Sequence, residues 1–147
     1  MQILEHQYIH LSNLVSYKKI INKNELLNLI DHVSSNIQNL QLSIKDKILF
    51  TTSPIKDKLN VEILIPVSEE IHECNNYNIK PIYKLTNAVV IRHEGCFSNL
   101  NKTIEELKNY IKKMSYQSIT NPYCRVVRKE KNNMIIDIYI GLNCNIL

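Results

Sequence analysis

Glycine is almost missing from this chain, with two in 147 residues, and proline is scarce at four. So few turn formers exclude glycine-rich phosphate cradles and disfavour long irregular loops and all-β architectures with many tight turns. A long apolar run is lacking as well. The amino terminus reads MQILEHQYIHLSNL, with no basic region leading into an uninterrupted apolar stretch, so neither a signal peptide nor a membrane span is expected and the chain is placed in the cytoplasm. The four cysteines, Cys74, Cys96, Cys124 and Cys144, include no C-x-x-C pair, which fits reduced thiols, buried or incidental, better than a disulfide framework. No serine sits on a nucleophile elbow. His72, Cys74, His93 and Cys96 carry metal-capable atoms, yet their separations match no zinc pattern. The chain is therefore expected to work without catalysis, cofactor or metal.

What is present is the balance of a globular protein: 44% hydrophobic and 22% charged residues, in a length that buries a core without disulfides or a metal. One domain, 1–147, is the expectation. The formal charge of +4 comes from 18 Lys and Arg against 14 Asp and Glu, scattered along the chain. A nucleic-acid binder concentrates its basic residues on one face. The nearest approach here, Arg125, Arg128, Lys129 and Lys131, reads as a solvated hairpin, so no nucleic-acid partner is expected.

Periodicity then reveals a repeat. Leu26, Ile30, Val33, Ile37 and Leu40 follow a 4, 3, 4, 3 spacing that forms one face of a helix, and Leu100, Ile104, Leu107, Ile111 and Met114 repeat it 74 residues later. Asn24 or Asn22 precedes the first helix, Asn22 and Glu25 having capping-box spacing, and Ser98 precedes the second. Leu14–Tyr17 and Ala88–Ile91 are matching β-prone runs before the helices. After them, Lys47–Thr51 matches Tyr123–Val127, and Leu59–Val67 matches Met134–Leu142 once the offset grows to 75. Residues 68–83, polar and broken by Pro81, read as a connection. The predicted fold is α+β: two pseudo-symmetric β-α-β-β repeats, about 8–67 and 85–142, forming an antiparallel sheet with two helices packed on one face.

Strand alternation places the candidate site residues. Leu59, Val61, Ile63 and Ile65 share one face, and Asn60, Glu62, Leu64 and Pro66 the other. Likewise Met134, Ile136, Ile138 and Ile140 oppose Ile135, Asp137, Tyr139 and Gly141. Glu62 and Asp137 thus take equivalent stations facing away from the helices, with Leu64 and Tyr139 beside them. Two readings stand. The acids line a cleft, where apolar walls strengthen a carboxylate's hold on cationic or hydrogen-bond-donating groups, or they sit on a wet sheet face. His93, at a strand end, is a ligand-binding or proton-shuttling candidate on one reading and a backbone-bonded cap on the other.

The stretches Asn60-Val61-Glu62-Ile63-Leu64-Ile65-Pro66-Val67 and Ala88-Val89-Val90-Ile91-Arg92-His93-Glu94-Gly95, the latter running into an amphipathic helix, resemble gyrase-inhibitor-like domains. These are the AraC-type effector-binding domains of some multidrug-responsive transcription regulators. The resemblance implies a cleft between the repeats for small, often cationic or aromatic molecules. Glu62 matches the motif acid, and Asp137 stands where the second repeat often has glutamate. Two departures are visible: Ile140-Gly141-Leu142 replaces a usual proline, and no DNA-binding helices precede the domain. Both fit better a related group of stand-alone proteins encoded beside toxins exported by type VII secretion in low-GC Gram-positive bacteria, and the richness in Ile, Asn and Lys agrees with an AT-rich genome.

The leading expectation is a non-catalytic domain that binds a small molecule through Glu62, Leu64, His93, Asp137 and Tyr139. An accessory adaptor or chaperone for a secreted toxin, or a homodimer using a sheet face, is the protein-partner alternative. A small-molecule hydrolase with Glu62 as base and Tyr139 or His93 as auxiliary is the catalytic one.

Overall fold

The computed structural model describes residues 2–72, 76–131 and 133–143. They form β1 (Ile3–Ile21), α1 (Leu26–Asn39), β2 (Leu49–Ile55), β3 (Lys58–Pro66), β4 (Asn78–Cys96), α2 (Leu100–Lys113), β5 (Tyr123–Glu130) and β6 (Asn133–Gly141), with a short 3-10 turn leading into each helix. The fold is α+β, two β-α-β-β repeats in order. Two compact units result: His10–Tyr83, and Met1–Ile9 together with Lys84–Leu147.

Within the first unit β3 pairs antiparallel with β1 on one side and β2 on the other; within the second, β6 pairs the same way with β4 and β5. The registers repeat as faithfully as the order. Leu14 opposes Pro66 and Ala88 opposes Gly141. Glu62 stands between Lys18 and Thr51, as Asp137 stands between Arg92 and Arg125. The register aligns Leu49, not Lys47 as read from sequence, with Tyr123, and the change of offset from 74 to 75 has a physical cause: β5 carries an irregularity between Val126 and Arg128, a bulge that leaves Val127 as one extra residue.

The helices bury Leu26, Leu29, Ile30, Val33 and Ile37 in one repeat and Leu100, Thr103, Ile104, Leu107 and Ile111 in the other. Two members of the expected stripe drop out, because Leu40 and Met114 are 51% and 43% exposed. Each lies just past its helix, where the chain reverses. The N–H of Gln41 and of Leu42 donates to the carbonyls of Gln38 and Ile37, and the N–H of Ser115 and of Tyr116 to those of Lys112 and Ile111. This is a Schellman closure in both repeats, and its left-handed residues are Gln41 (φ 62°) and Ser115 (φ 58°) where glycine is usual. At the helix starts, Glu25 accepts the backbone N–H of Asn22 at 3.1 Å, the capping-box contact its spacing predicts. Ser98 does not cap: it lies inside the 3-10 turn and its hydroxyl donates to Cys96 Sγ at 3.2 Å.

The first and fourth strands are far longer than the four-residue runs read from sequence, at 19 residues each. Left-handed residues at His6 and Asn13 (φ 60° and 59°) interrupt β1. Its alternating burial sets Glu5 and Gln7 on the less exposed side and Leu4 and Tyr8 on the exposed one, so residue type gives no period-2 signal there. The expected connection over 68–83 is a strand from Asn78 onward, with Pro81 inside it. The acid-bearing faces are not simply wet, since Ile63–Pro66 and Ile138–Gly141 are buried at every residue. Gly141 stands where the first repeat has Pro66, for two reasons. Its N–H donates to Thr120 Oγ1 at 2.9 Å, a bond proline cannot make, and a Cβ there would lie 2.6 Å from Leu85 Cδ1.

Leu107 is fully buried and Met114 is not. Urea unfolding should therefore show Leu107→Ala losing roughly 2–5 kcal/mol and Met114→Ala losing less than about 0.5 kcal/mol. Equal losses would refute this account of the helix end.

Candidate functional site

On β4, alternation sends His93 to one side and Arg92 and Glu94 to the other. His93 faces α2. It is 3% exposed, with Nδ1 2.7 Å from Thr103 Oγ1 and Nε2 2.9 Å from the Cys96 carbonyl, so both ring nitrogens are engaged by structure. The opposite side carries the cavity. Val90, Arg92 and Glu94 of β4 and Asp137 and Tyr139 of β6 line a space of about 830 Å³, together with Gln2, Leu4 and Gln7. Steps from 2 to 4 to 7 cannot share a face in an unbroken strand; the left-handed His6 supplies the break that brings Gln7 round.

Within this cavity Asp137 is not a lone acid. Arg92, its direct cross-strand partner, donates from Nε to Oδ1 at 2.8 Å and from Nη2 to Oδ2 at 3.1 Å. Such a fork fixes both side chains. Those two hydrogen bonds, with the carboxylate's charge behind them, push the guanidinium pKa higher still. Tyr139, 8% exposed, forms the aromatic wall two residues along.

The strand segment that carries Gln2 and Leu4 is tied down from its other side. Glu5 accepts hydroxyl hydrogen bonds from Tyr110 of α2 and, at 2.8 Å, from Tyr116, which the Schellman turn delivers to the same carboxylate. The two rings meet edge to face with centroids 6.4 Å apart. Two donors favour the charged carboxylate and hold the Glu5 pKa below its ordinary value. The same bond pushes the Tyr110 phenol up to about 12, because losing its proton would set phenolate against carboxylate. The clasp's contribution to stability is therefore present above the ordinary carboxylate range and lost as pH falls through the lowered Glu5 pKa. At the alkaline end it is present below the ordinary phenol range and lost as pH rises through about 12.

Of the residues singled out from sequence, the structure brings Asp137 and Tyr139 into one cavity and sets His93 on the far side of β4. Glu62 and Leu64 hold the matching stations of the other unit. There Ser16 Oγ donates to Glu62 at 2.7 Å, and Leu64 is fully buried. That unit has a cavity of its own, about 440 Å³, lined by Tyr17, His32, Val33, Asn36, Asn76 and Tyr77, with the Tyr17 and Tyr77 rings 5.4 Å apart. Sequence reasoning missed Arg92, Glu94 and the Gln2–Gln7 segment. The signal for Arg92 was available, because it lies 74 residues beyond Lys18 in the same register as Asp137 lies beyond Glu62.

The thiols split by environment. Cys124 is buried and its pKa is pushed up to about 12 by desolvation, whereas the exposed Cys96 is lowered by the Ser98 hydroxyl. Cys74 and Cys144 lie outside the described residues. Among the described residues no three His, Cys, Asp or Glu side chains gather to hold a metal ion, and His72 pairs with Glu70 at 3.5 Å. No helix of the described residues is long and apolar enough to cross a membrane.

The family model described as a domain of unknown function, DUF5085, matches residues 10–145. The chain belongs to that family. A comparison of the DUF5085 chain with curated proteins finds no match. Among solved structures, the C-terminal domain of EcmrR superposes with a TM-score of 0.79 at 15% identity, covering 97% of both chains. EcmrR in complex with DNA gives 0.82 at 15% identity and 97% coverage, and there this chain spans 57% of the longer protein. A hydrolase from Listeria innocua gives 0.61 at 6% identity, covering 95% of this chain and 93% of that one. SAV2435 bound to tetraphenylphosphonium gives 0.54 at 10% identity, with 97% and 93% covered. These likenesses establish the fold, the one that the gyrase-inhibitor-like resemblance implies.

The Glu5 clasp has a direct spectroscopic test. Ultraviolet titration of phenolate, with folding followed in parallel, should show a tyrosine step near pH 12. Glu5→Gln should bring that step down toward about 10, and a step that stays in place would show that Glu5 is not its cause.

Proposed function

We propose that this DUF5085 chain is a non-catalytic binding domain for a small aromatic molecule, held in the cavity lined by Leu4, Val90, Arg92, Asp137 and Tyr139. The observation that carries the reading is that cavity. Its volume of about 830 Å³ falls in the range of ligand sites, and it sets Leu4, Val90 and Tyr139 beside the polar and charged side chains of Gln2, Gln7, Arg92, Glu94 and Asp137. Part of the cavity is tied down before any ligand arrives, Asp137 by the Arg92 fork and the stretch of β1 between Leu4 and Gln7 by the Glu5 clasp. Preorganisation of this kind lowers the ordering cost of binding. SAV2435, which shares the fold, is bound to an organic molecule with four aromatic rings. In EcmrR the same fold is the C-terminal domain of a protein that also engages DNA, so the part matched here is the C-terminal one.

The fold also occurs in a protein named as a hydrolase, and the exposed carboxylate of Glu94 stands on the cavity rim with Tyr139 inside. Mass spectrometry of every compound that binds separates the two readings, since recovery of the compound intact marks a binding domain and its loss marks turnover.

A thermal-shift screen of aromatic compounds of positive, negative and zero charge tests the proposal. A compound at a hundred times its Kd adds about 2.7 kcal/mol, which for a chain of this size raises Tm by roughly 5–10 °C. Tyr139→Leu and the surface change Leu4→Ser should each weaken the hit at least about tenfold, as loss of a contact worth about 1.4 kcal/mol does. Full binding by both variants would place the ligand elsewhere, and no shift with any compound would overturn the reading.

A further inference from the structure

We propose that Arg92 determines the ligand class of this cavity, closing it to molecules that offer only positive charge and admitting aromatic molecules that carry a carboxylate. The inference rests on the binding reading above. It starts from a difference between the two repeats. At the station of Glu62, the neighbouring strand presents Ser16 and Lys18, and the carboxylate is held by the neutral Ser16 hydroxyl at 2.7 Å. At the station of Asp137, the same two positions are Val90 and Arg92. The hydroxyl is gone, and a guanidinium takes both carboxylate oxygens at 2.8 and 3.1 Å.

A carboxylate in an apolar-walled cavity is the usual receptor for an organic cation. Here that receptor already holds one. The Asp137 side chain is 16% exposed, while that of Arg92 is 51% exposed, so what the fork presents to an incoming molecule is mostly guanidinium. The fork uses Nε and Nη2, and of the five N–H donors of an arginine this leaves three. Their planar arrangement suits a carboxylate, and an arginine binds such a group bidentately where lysine acts as a point charge. Tyr139, Val90 and Leu4 supply the surface against which an aromatic ring packs, and the Gln2 and Gln7 amides complete the lining. Two acids on this face oppose an anion, Asp137, whose charge the Arg92 fork matches, and Glu94, whose charge also acts on the guanidinium. Glu94 is exposed, lies one step further along β4 than Arg92 on that face, and borders the adjoining space near Arg128 as well, so solvent screens it more than it does Asp137.

A bound tetraphenylphosphonium ion has no acceptor to offer Arg92, and it would reach Asp137 only by displacing the guanidinium. Removing Arg92 uncovers the carboxylate and inverts the preference of the site.

Calorimetric titration of the full chain with naphthoate and with tetraphenylphosphonium decides the matter. The wild-type protein should bind naphthoate at least about tenfold more tightly than the phosphonium, one order of magnitude in Kd. Arg92→Gln should reverse the order, with naphthoate weakened and the phosphonium strengthened by a similar factor, and adding Asp137→Asn should abolish the phosphonium gain. Arg92→Lys, which keeps charge without the fork, should fall between them. A circular-dichroism melt shows that each variant is folded. If Arg92→Gln binds the phosphonium no better than wild type does, or wild type prefers the phosphonium, the role of Arg92 is refuted while the cavity stands as a binding site. If neither probe nor any aromatic compound binds wild type or variant, the binding reading falls, and this inference falls with it.

Discussion

One register governs the site: Arg92 opposite Asp137 across β4 and β6. Side chains alternate with a period of two, so a slip of one residue would carry every cavity residue of one strand to the helix side. The register is pinned from both faces. On the helix side His93 is locked to Thr103 and to the Cys96 carbonyl, and on the other the guanidinium fork ties the two strands through their side chains. Strands buried on both faces at the Ile138–Gly141 end add a third restraint, since no residue there has a solvated side to turn to.

Duplication was the most legible feature of the sequence, because helix periodicity survives divergence at the level of residue class. Leu26 to Leu100, Ile30 to Ile104, Val33 to Leu107 and Ile37 to Ile111 all keep their burial. The face carrying the acids was legible for the same reason. What escaped was whatever depends on a departure from period. The N-terminal strand was invisible beyond a short run, because its alternating burial is carried by residues such as Glu5 and Gln7 on the less exposed side and Leu4 and Tyr8 on the exposed one, and ends at Asn13. Leu40 and Met114 were read as core because the hydrophobic spacing runs on one step further than the helix does. The cavity was only half legible: Asp137 and Tyr139 follow from alternation within one strand, whereas Arg92 and the Gln2–Gln7 wall come from other strands, whose pairing no local pattern announces.

The two repeats have kept their backbone and parted in their chemistry. Hydrogen bonds at the helix ends, at the Lys45–Pro66 and Ile119–Gly141 closures and at the isolated bridges Ile44 to Val67 and Ser118 to Leu142 recur almost one for one. Backbone bonds tolerate nearly any side chain, so duplication preserves them. The side chains of the acid-bearing face have drifted instead, at the exposed pair Lys18 and Arg92 and also at the buried pairs Ser16 and Val90, Leu64 and Tyr139. A symmetric frame with unlike contents is the expected outcome when only one half of a duplicated pair is held to a given task.

The unit that contains the cavity is discontinuous, taking residues 1–9 and 84–147. During synthesis His10–Tyr83 emerges as an unbroken stretch and is able to collapse on its own schedule, for domains fold as units while the chain is still growing. The Gln2–Gln7 wall has to wait. Its counterparts Asp137 and Tyr139 lie beyond the whole of His10–Tyr83, so the cavity takes shape only after every residue of the other unit has been made.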